Sequence, residues 1–403
     1  MMQAGSSVAA AVEPDLQIRV ITSMGDVSAE AWDACASQGQ SGSFNPFVAH
    51  AFLSALERSK SVTARSGWQP QHLLAETMSG DVVGAAPCYL KSHSRGEYVF
   101  DAGWAEAYER AGGAYYPKLQ VSVPFTPATG PRLMVKAPAQ GEQVRKALTH
   151  GLVELCRLRE ASSVHATFLP QADADALGAS GFLRRTDQQF HWNNDGYVTF
   201  EDFLAALASR KRKLIKRERR EATASDISLH WLTGSDITEG VWDAFFAFYN
   251  DTGSRKWGRP YLTRDFFSMV GDSMRDQVLL VMARRAGHWI AGALNFMGDG
   301  TLYGRHWGAI EEHPFLHFEV CYYQAIEFAI THRLKRVEAG AQGEHKLARG
   351  YLPVTTHSAH YISHPGLRKA VRDYLEHERA YIAAAGEELA RAAPYRHDLI
   401  EQE

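Results

Sequence analysis

A mixed α/β fold built from two similar halves is predicted by three recurrences in the chain. A strand, a polar turn with glycine and a second strand occur in LLAETMSGDVVGAAPCYLKSH (73–93) and again in LLVMARRAGHWIAGALNFMGDG (279–300). An amphipathic helix follows each hairpin, over 142–159 and 318–332. Each helix leads to a strand, 164–169 or 336–339, then to Gly181-Phe182 or Gly350-Tyr351 and a last strand. Strands and helices in that order imply two mixed sheets with helices on their faces.

The elements follow in chain order. Residues 1–15 are small and polar, without a basic segment followed by an apolar one, and read as a disordered leader. The first domain spans 16–195. Its hairpin is followed by a third strand near 98–101 and a long insertion, 100–135, rich in Gly, Pro and aromatics. Its helix carries Val144, Leu148, Leu152, Leu155 and Cys156 at helical spacing. Asn193-Asn194-Asp195-Gly196 is a turn signal and marks the boundary. The second domain, 196–403, opens with one long helix over 200–224. Its third strand is 302–307, and its helix carries Val320, Tyr323, Ile326, Ala329 and Ile330. The tail, 367–391, reads as one or two polar helices.

Composition narrows the function classes. Hydrophobic residues make up 45% and charged residues 22%, and 43 Lys+Arg against 46 Asp+Glu leave a net charge of −3. A disordered chain, a collagen-like fibre, a disulfide-stapled miniprotein and a globally basic nucleic-acid coat are excluded. The four cysteines form no Cys-x-x-Cys pair, so neither a zinc knuckle nor a redox dithiol is indicated, and their sparse use fits a cytoplasmic protein. No apolar run reaches the roughly 18 residues of a membrane span.

Five stretches carry a family resemblance: FNPFVAHAFLSALE (44–57), YYPKLQVSVPFTPATGPRL (115–133), FLAALASRKRKLIKRERR (203–220), YGRHWGAIEEHPFLHFEVCYYQAIEFA (303–329) and EAGAQGEHKLARGYLPVTTHSAH (338–360). The chain resembles the FemAB-like N-acyltransferases of peptidoglycan biosynthesis/recognition, which implies two GNAT-like acyltransferase domains in tandem. One feature departs from the acetyl-CoA-dependent relatives of that superfamily. Where their glycine-rich pyrophosphate loop precedes the second helix, this chain has HPFLHFEV (313–320), and LMVKAPAQGEQVRK in the first half also lacks the glycine run. Such a loop offers bare backbone N–H groups to phosphate oxygens, which His, Phe and Leu side chains obstruct.

The reaction implied by the resemblance is attack of an amine on an activated acyl carbon. It calls for a proton acceptor and for donors to an oxyanion. The expected site lies in the second domain, beyond the carboxyl ends of its strands. His345 or Glu319 would take the amine proton. Lys346 or Arg305 would hold the oxyanion or a phosphate. Trp307 and Tyr351 would wall the pocket, with His306, His317, Glu338, Gln342 and Glu344 beside them. Tyr115, Tyr116, Lys118 and Arg132 of the insertion would bind an elongated polar substrate. No helix spacing for a metal appears, so no metal site is expected.

The run RKRKLIKRERR (210–220) holds eight bases in eleven residues. Lys211, Arg212, Lys213, Lys216, Arg217 and Arg220 would grip phosphates of a tRNA, of CoA or of a lipid headgroup. No tightly bound cofactor is expected. Aminoacyl-tRNA is the favoured donor and acyl-CoA the alternative. The acceptor is an amine of an amino acid, peptide or cell-wall precursor. A second alternative is a non-catalytic protein that binds peptidoglycan fragments. Oligomeric state is open, and peripheral membrane contact is compatible with the basic run.

Overall fold

The computed structural model describes residues 16–37, 44–224, 226–257, 260–340 and 343–396. The leader expected over 1–15 lies outside the described residues. The first half supplies β1 (Leu16–Ile21), α1 (Ala29–Ala36), α2 (His50–Arg58), β2 (Trp68–Pro70), β3 (His72–Thr77), β4 (Val82–Ala86), β5 (Cys88–Lys91), α3 (Ala102–Arg110), β6 (Lys118–Val121), β7 (Met134–Val135), α4 (Gly141–Leu158), β8 (Ser163–Leu169), α5 (Gln171–Ala179) and β9 (Leu183–Asn193). The second supplies α6 (Phe200–Ala206), α7 (Ser209–Ala222), β10 (Ile227–Thr233), α8 (Glu239–Trp257), α9 (Arg264–Ser273), β11 (Val278–Arg285), β12 (His288–Gly298), β13 (Thr301–Ala309), α10 (Leu316–Phe318), α11 (Gln324–Thr331), β14 (Arg336–Glu338), β15 (Leu352–Ile362) and α12 (Pro365–Arg391). A π-helical turn, Glu319–Tyr323, joins α10 to α11.

A small sheet runs β1-β3-β4-β7, and a large one runs β10-β11-β12-β13-β14-β9-β15-β8-β6-β5-β2 through both halves. Pro87 divides β4 from β5, and the chain passes there from the small sheet to the large one, because proline has no N–H to continue a ladder. The β11–β12 hairpin closes on Ala286 and Gly287, both with positive φ (47° and 82°), as a type I′ turn requires. Among the described residues two strand pairs are parallel, β6 with β8 and β13 with β14. They lie on either side of β9 and β15, so each half lends its last strand to the neighbour of the other: β9 pairs β14, and β15 pairs β8. The ladder therefore crosses the boundary expected at 195/196.

One face of this sheet is apolar. Helix α4 lays Val144, Leu148, Leu152 and Leu155 against Leu119, Val121, Val164 and Ala166. The helix over α10, the π turn and α11 lays Val320, Tyr323, Ile326 and Ala329 against Leu302, Val337 and Ala293. Strand alternation turns the intervening residues to the other face. There Lys118, Gln120, His165, Thr167, Gln189, His191, Glu338, Ser358 and His360 form a strip of buried polar side chains.

Three expectations give way. No strand forms at 98–101, because Tyr98 has a φ of 60°, outside the extended region, and Asp101 leads into α3. The strand matching β13 is β6, inside the expected insertion. The single helix over 200–224 is two helices, α6 and α7. Leu207 is extended (ψ 152°) and bridges Tyr395, and the Ala208 N–H donates to the Pro394 carbonyl. The tail, expected as one or two helices, is one, α12.

Candidate active site

The parallel pair β13–β14 ends at Tyr303 and Glu338. Beyond that point β13 continues to Ala309 against β12, while the chain after Glu338 turns away through Gly340 (φ 75°). Among the described residues, no strand pairs with that edge of β13 from Gly304 onward. The two strands therefore open into a slot with an unladdered backbone edge, and the expected site residues divide between its two sides.

On the side of the polar strip stand Glu338, His191, Tyr303, Arg305 and His306. Glu338 is 6% exposed, and its Oε2 has no hydrogen-bond partner. The nearest cations and imidazole are at a distance: His191 Nε2 at 3.8 Å and Arg336 Nη1 at 3.9 Å. Burial pushes the carboxyl up to about 7, against the pull of Arg336 and Arg305. Burial pushes His191 down to about 3, so this neighbour is neutral. Arg305 donates to the Phe125 carbonyl of the first half and lies 5.8 Å from the Phe47 ring centroid. His306 packs on Tyr249 at 5.1 Å, and burial lowers it to about 3.

On the helix side stand Trp307, His317, His345 and Lys346. Trp307 and His317 are 5.2 Å apart and line a pocket of about 540 Å³ with Thr252, Glu311, Glu312, His313 and Leu316. Glu311 accepts from Arg285 and His313, both at 2.8 Å. His345 lies 2.9 Å from the Tyr322 hydroxyl and is held below the ordinary histidine value by burial, then by Arg349 and Lys346. Lys346 Nζ donates to the Gly340 carbonyl at 3.0 Å, where the strands part, and burial pushes it down to about 8. Arg305 and His345 thus lie in separate groups.

Several site expectations are corrected. Glu319 is tied to the basic helix instead: its oxygens accept from Arg219 (3.0 to 3.2 Å) and Gln324 (2.7 Å), so its charge is already held by a guanidinium. Tyr351 is core, fully buried, its hydroxyl directed to the Tyr322 carbonyl. Lys118 is fully buried between Glu97 (2.7 Å) and Asp101. Tyr115 donates to Asp101 at 2.7 Å, and Arg132 to the carbonyls of Thr167 and Ala128. These three hold the first half together and offer a substrate no free donor. Tyr116 is half-buried on Ser94. Gln342 and the Glu344 side chain lie outside the described residues.

The basic run is amphipathic in a way that the charge count hides. Its inner face docks on the π turn: Glu218 accepts from Arg349 at 2.8 Å and from Tyr323, and Arg219 bridges Glu319 and Glu327. Lys216 pairs with Glu201 at 2.8 Å and Arg217 with Glu221 at 3.7 Å. Lys211, Arg212, Lys213 and Arg220 make no ion pair among the described residues; Lys213 and Arg220 are exposed, whereas Lys211 and Arg212 are half-buried, Lys211 on the face of Ile215 and Glu218. Among the described residues, no three His, Cys, Asp or Glu side chains gather as a metal site. None of the described helices is long and apolar enough to cross a membrane.

Sequence reasoning passed over His191, Gln189 and Tyr322. The first two had a signal: in QQFHWN (188–193), polar residues alternate with Phe190 and Trp192, which marks a strand with one polar face. Tyr322 had none, because the π turn that aims it toward His345 is invisible to a 3.6-residue period.

Comparison with known proteins agrees with this architecture. A family model described as FemAB-like, peptidoglycan biosynthesis/recognition, matches residues 23–397. No curated protein matches. The solved structure of FemX is 12% identical, covers 86% of this chain and 98% of its own, and superposes with a TM-score of 0.54. A tandem GNAT protein from the clavulanic acid biosynthesis pathway is 14% identical, with coverages of 87% and 99% and a TM-score of 0.48. L-PGS from Bacillus licheniformis is 8% identical, with coverages of 80% and 95% and a TM-score of 0.48.

Proposed function

Because this chain belongs to the FemAB-like family, we propose that it is an N-acyltransferase that moves an acyl or aminoacyl group to an amine of an amino acid, peptide or cell-wall precursor. The observation that carries this reading is the slot between β13 and β14. The unpaired backbone edge of β13 from Gly304 gives an extended acyl donor hydrogen-bonding partners, as an added strand would have. Lys346, at the mouth of the slot, is a cation placed for an oxyanion. Trp307 and His317 wall the donor side.

Aminoacyl-tRNA is the donor this reading favours. The pocket ahead of α10 carries Glu311 and Glu312, whose charge opposes a pyrophosphate, and no glycine bares the backbone there. The outward face of α7 supplies the opposite charge to a nucleic-acid backbone. Melting curves of the purified protein with aminoacyl-tRNA, uncharged tRNA and acetyl-CoA test the choice. Charged tRNA is expected to raise the melting temperature most, with the shift fading at high salt and in a Lys213→Glu/Arg220→Glu variant. Stabilisation by acetyl-CoA alone would assign the donor to CoA.

A further inference from the structure

We infer that Glu338 is the catalytic proton acceptor of the transfer, receiving the acceptor amine's proton on Oε2 from the side of the slot that faces the first half. The inference rests on the acyl-transfer reading above and adds a residue and a direction of approach to it. Glu338 occupies the last position of the parallel pair, where β13 and β14 part. Its carboxylate is buried, and Oε2 accepts no hydrogen bond. A buried carboxylate oxygen without a donor is costly unless a ligand supplies one, and an amine N–H is such a donor. The groups facing it are His191 from β9, Arg336 beside it on β14, and Tyr303 and Arg305 from β13. His191 Nε2, at 3.8 Å, and the cations all lie too far to bond Oε2, so none of them occupies the oxygen. Its affinity for protons, pushed up by burial to about 7, suits an acceptor that must be charged at neutral pH and still hold a proton.

The step balances without a further reagent. The amine nitrogen forms a bond to the donor's carbonyl carbon, and the ester or thioester bond to oxygen or sulfur breaks. One amine proton passes to Glu338 Oε2 and then to the departing oxygen or sulfur, which restores the carboxylate.

The test uses the full chain with aminoacyl-tRNA and with acetyl-CoA, glycinamide or hydroxylamine as the accepting amine, and mass spectrometry of the product. Glu338→Gln is expected to slow transfer to glycinamide by about 100-fold or more. Transfer to hydroxylamine, already unprotonated at neutral pH, should suffer less. Once the rate is corrected for the protonated fraction of the amine itself, the fall below pH 7 should vanish in Glu338→Gln and persist in Glu338→Asp. An active wild type whose Glu338→Gln variant keeps both its rate and its acid limb overturns the role alone. A wild type that transfers from neither donor overturns the acyl-transfer reading, and this inference with it.

Discussion

At the parallel pair β6–β8, the residue matching Glu338 is His165, just as His360 on β15 matches His191 on β9. The surroundings of the two sites differ sharply. His165 and His360 join through their Nδ1 atoms at 2.6 Å, His165 reaches Ser163 at 2.7 Å, and His360 reaches Ser358 at 2.9 Å. Beside them Lys91 and Lys118 face Glu97 and Asp101, two cations for two anions, and Trp104 of α3 covers His360 at 5.0 Å. At β13–β14 Oε2 of the carboxylate stands without a hydrogen-bond partner, and among the described residues no helix lies between β12 and β13 as α3 does between β5 and β6. Duplication gave two copies of one scaffold. The first gathers its buried charges into one ion cluster, within which Glu97 Oε1 and Asp101 Oδ1 still accept no hydrogen bond; the second leaves Glu338 Oε2 without a hydrogen bond and with no cation in bonding range.

The largest expected effect is in the closed copy. Lys118→Met removes the centre of the ion cluster and strands Glu97 and Asp101. Breaking such a buried pair costs about 3–5 kcal/mol, read from urea unfolding. The loss should depend on pH. Burial opposes ionisation of Asp101, but the Lys118 ammonium holds it well below the usual carboxylate range. A depressed carboxyl stabilises the fold above its unfolded value and stops doing so as pH falls through its folded one. The gap between wild type and variant should therefore narrow in acid. A loss under about 1 kcal/mol at neutral pH would erase the contrast between the copies.

The open copy should respond in the opposite sense. Glu338 is raised from 4.5 to about 7, so the folded state prefers its neutral form. That preference contributes fully below the unfolded value and is lost as pH rises through the folded one, leaving a buried charge. Glu338→Gln should be indifferent at acid pH and more stable than wild type at pH 8, by on the order of 3 kcal/mol. Melting temperatures across pH 4 to 9 would show the crossover. A variant less stable at pH 8 would mean that Glu338 is held as Asp101 is.

This contrast was only partly legible in the sequence. Hairpins, α4, β8, β14 and both Gly-aromatic pairs announce themselves through local period and turn chemistry. The exchange of β9 and β15 does not, because pairing across the boundary leaves no local trace. Burial misled in both directions. Tyr115, Lys118 and Arg132 have the residue types of a binding loop, yet every one is sealed, because their partners Asp101 and Thr167 come from other elements. Glu319 and Glu338 look alike on paper. One lies within reach of Arg219, a hundred residues away, and the other meets no ionisable nitrogen closer than 3.8 Å among the described residues. Which carboxylate is free depends on tertiary distance, and helical or strand periods do not report it.

The smallest expected effect isolates that freedom from the fold. Arg336 approaches Glu338 Oε1 at 3.9 Å with a side chain 48% exposed. Exposed pairs of that length contribute under about 1 kcal/mol, so Arg336→Met should scarcely change unfolding. Arg336 nevertheless favours the ionised carboxylate, second only to the opposing effect of burial. Its removal should move the acid limb of the transfer rate upward in pH, while Glu338→Gln abolishes that limb. High salt should imitate the substitution in the wild type, because solvent reaches the Arg336 side of the pair. A limb that stays in place when Arg336 is lost would detach the rate's pH dependence from Glu338 and place it on a group of the other side of the slot, His345 or Lys346.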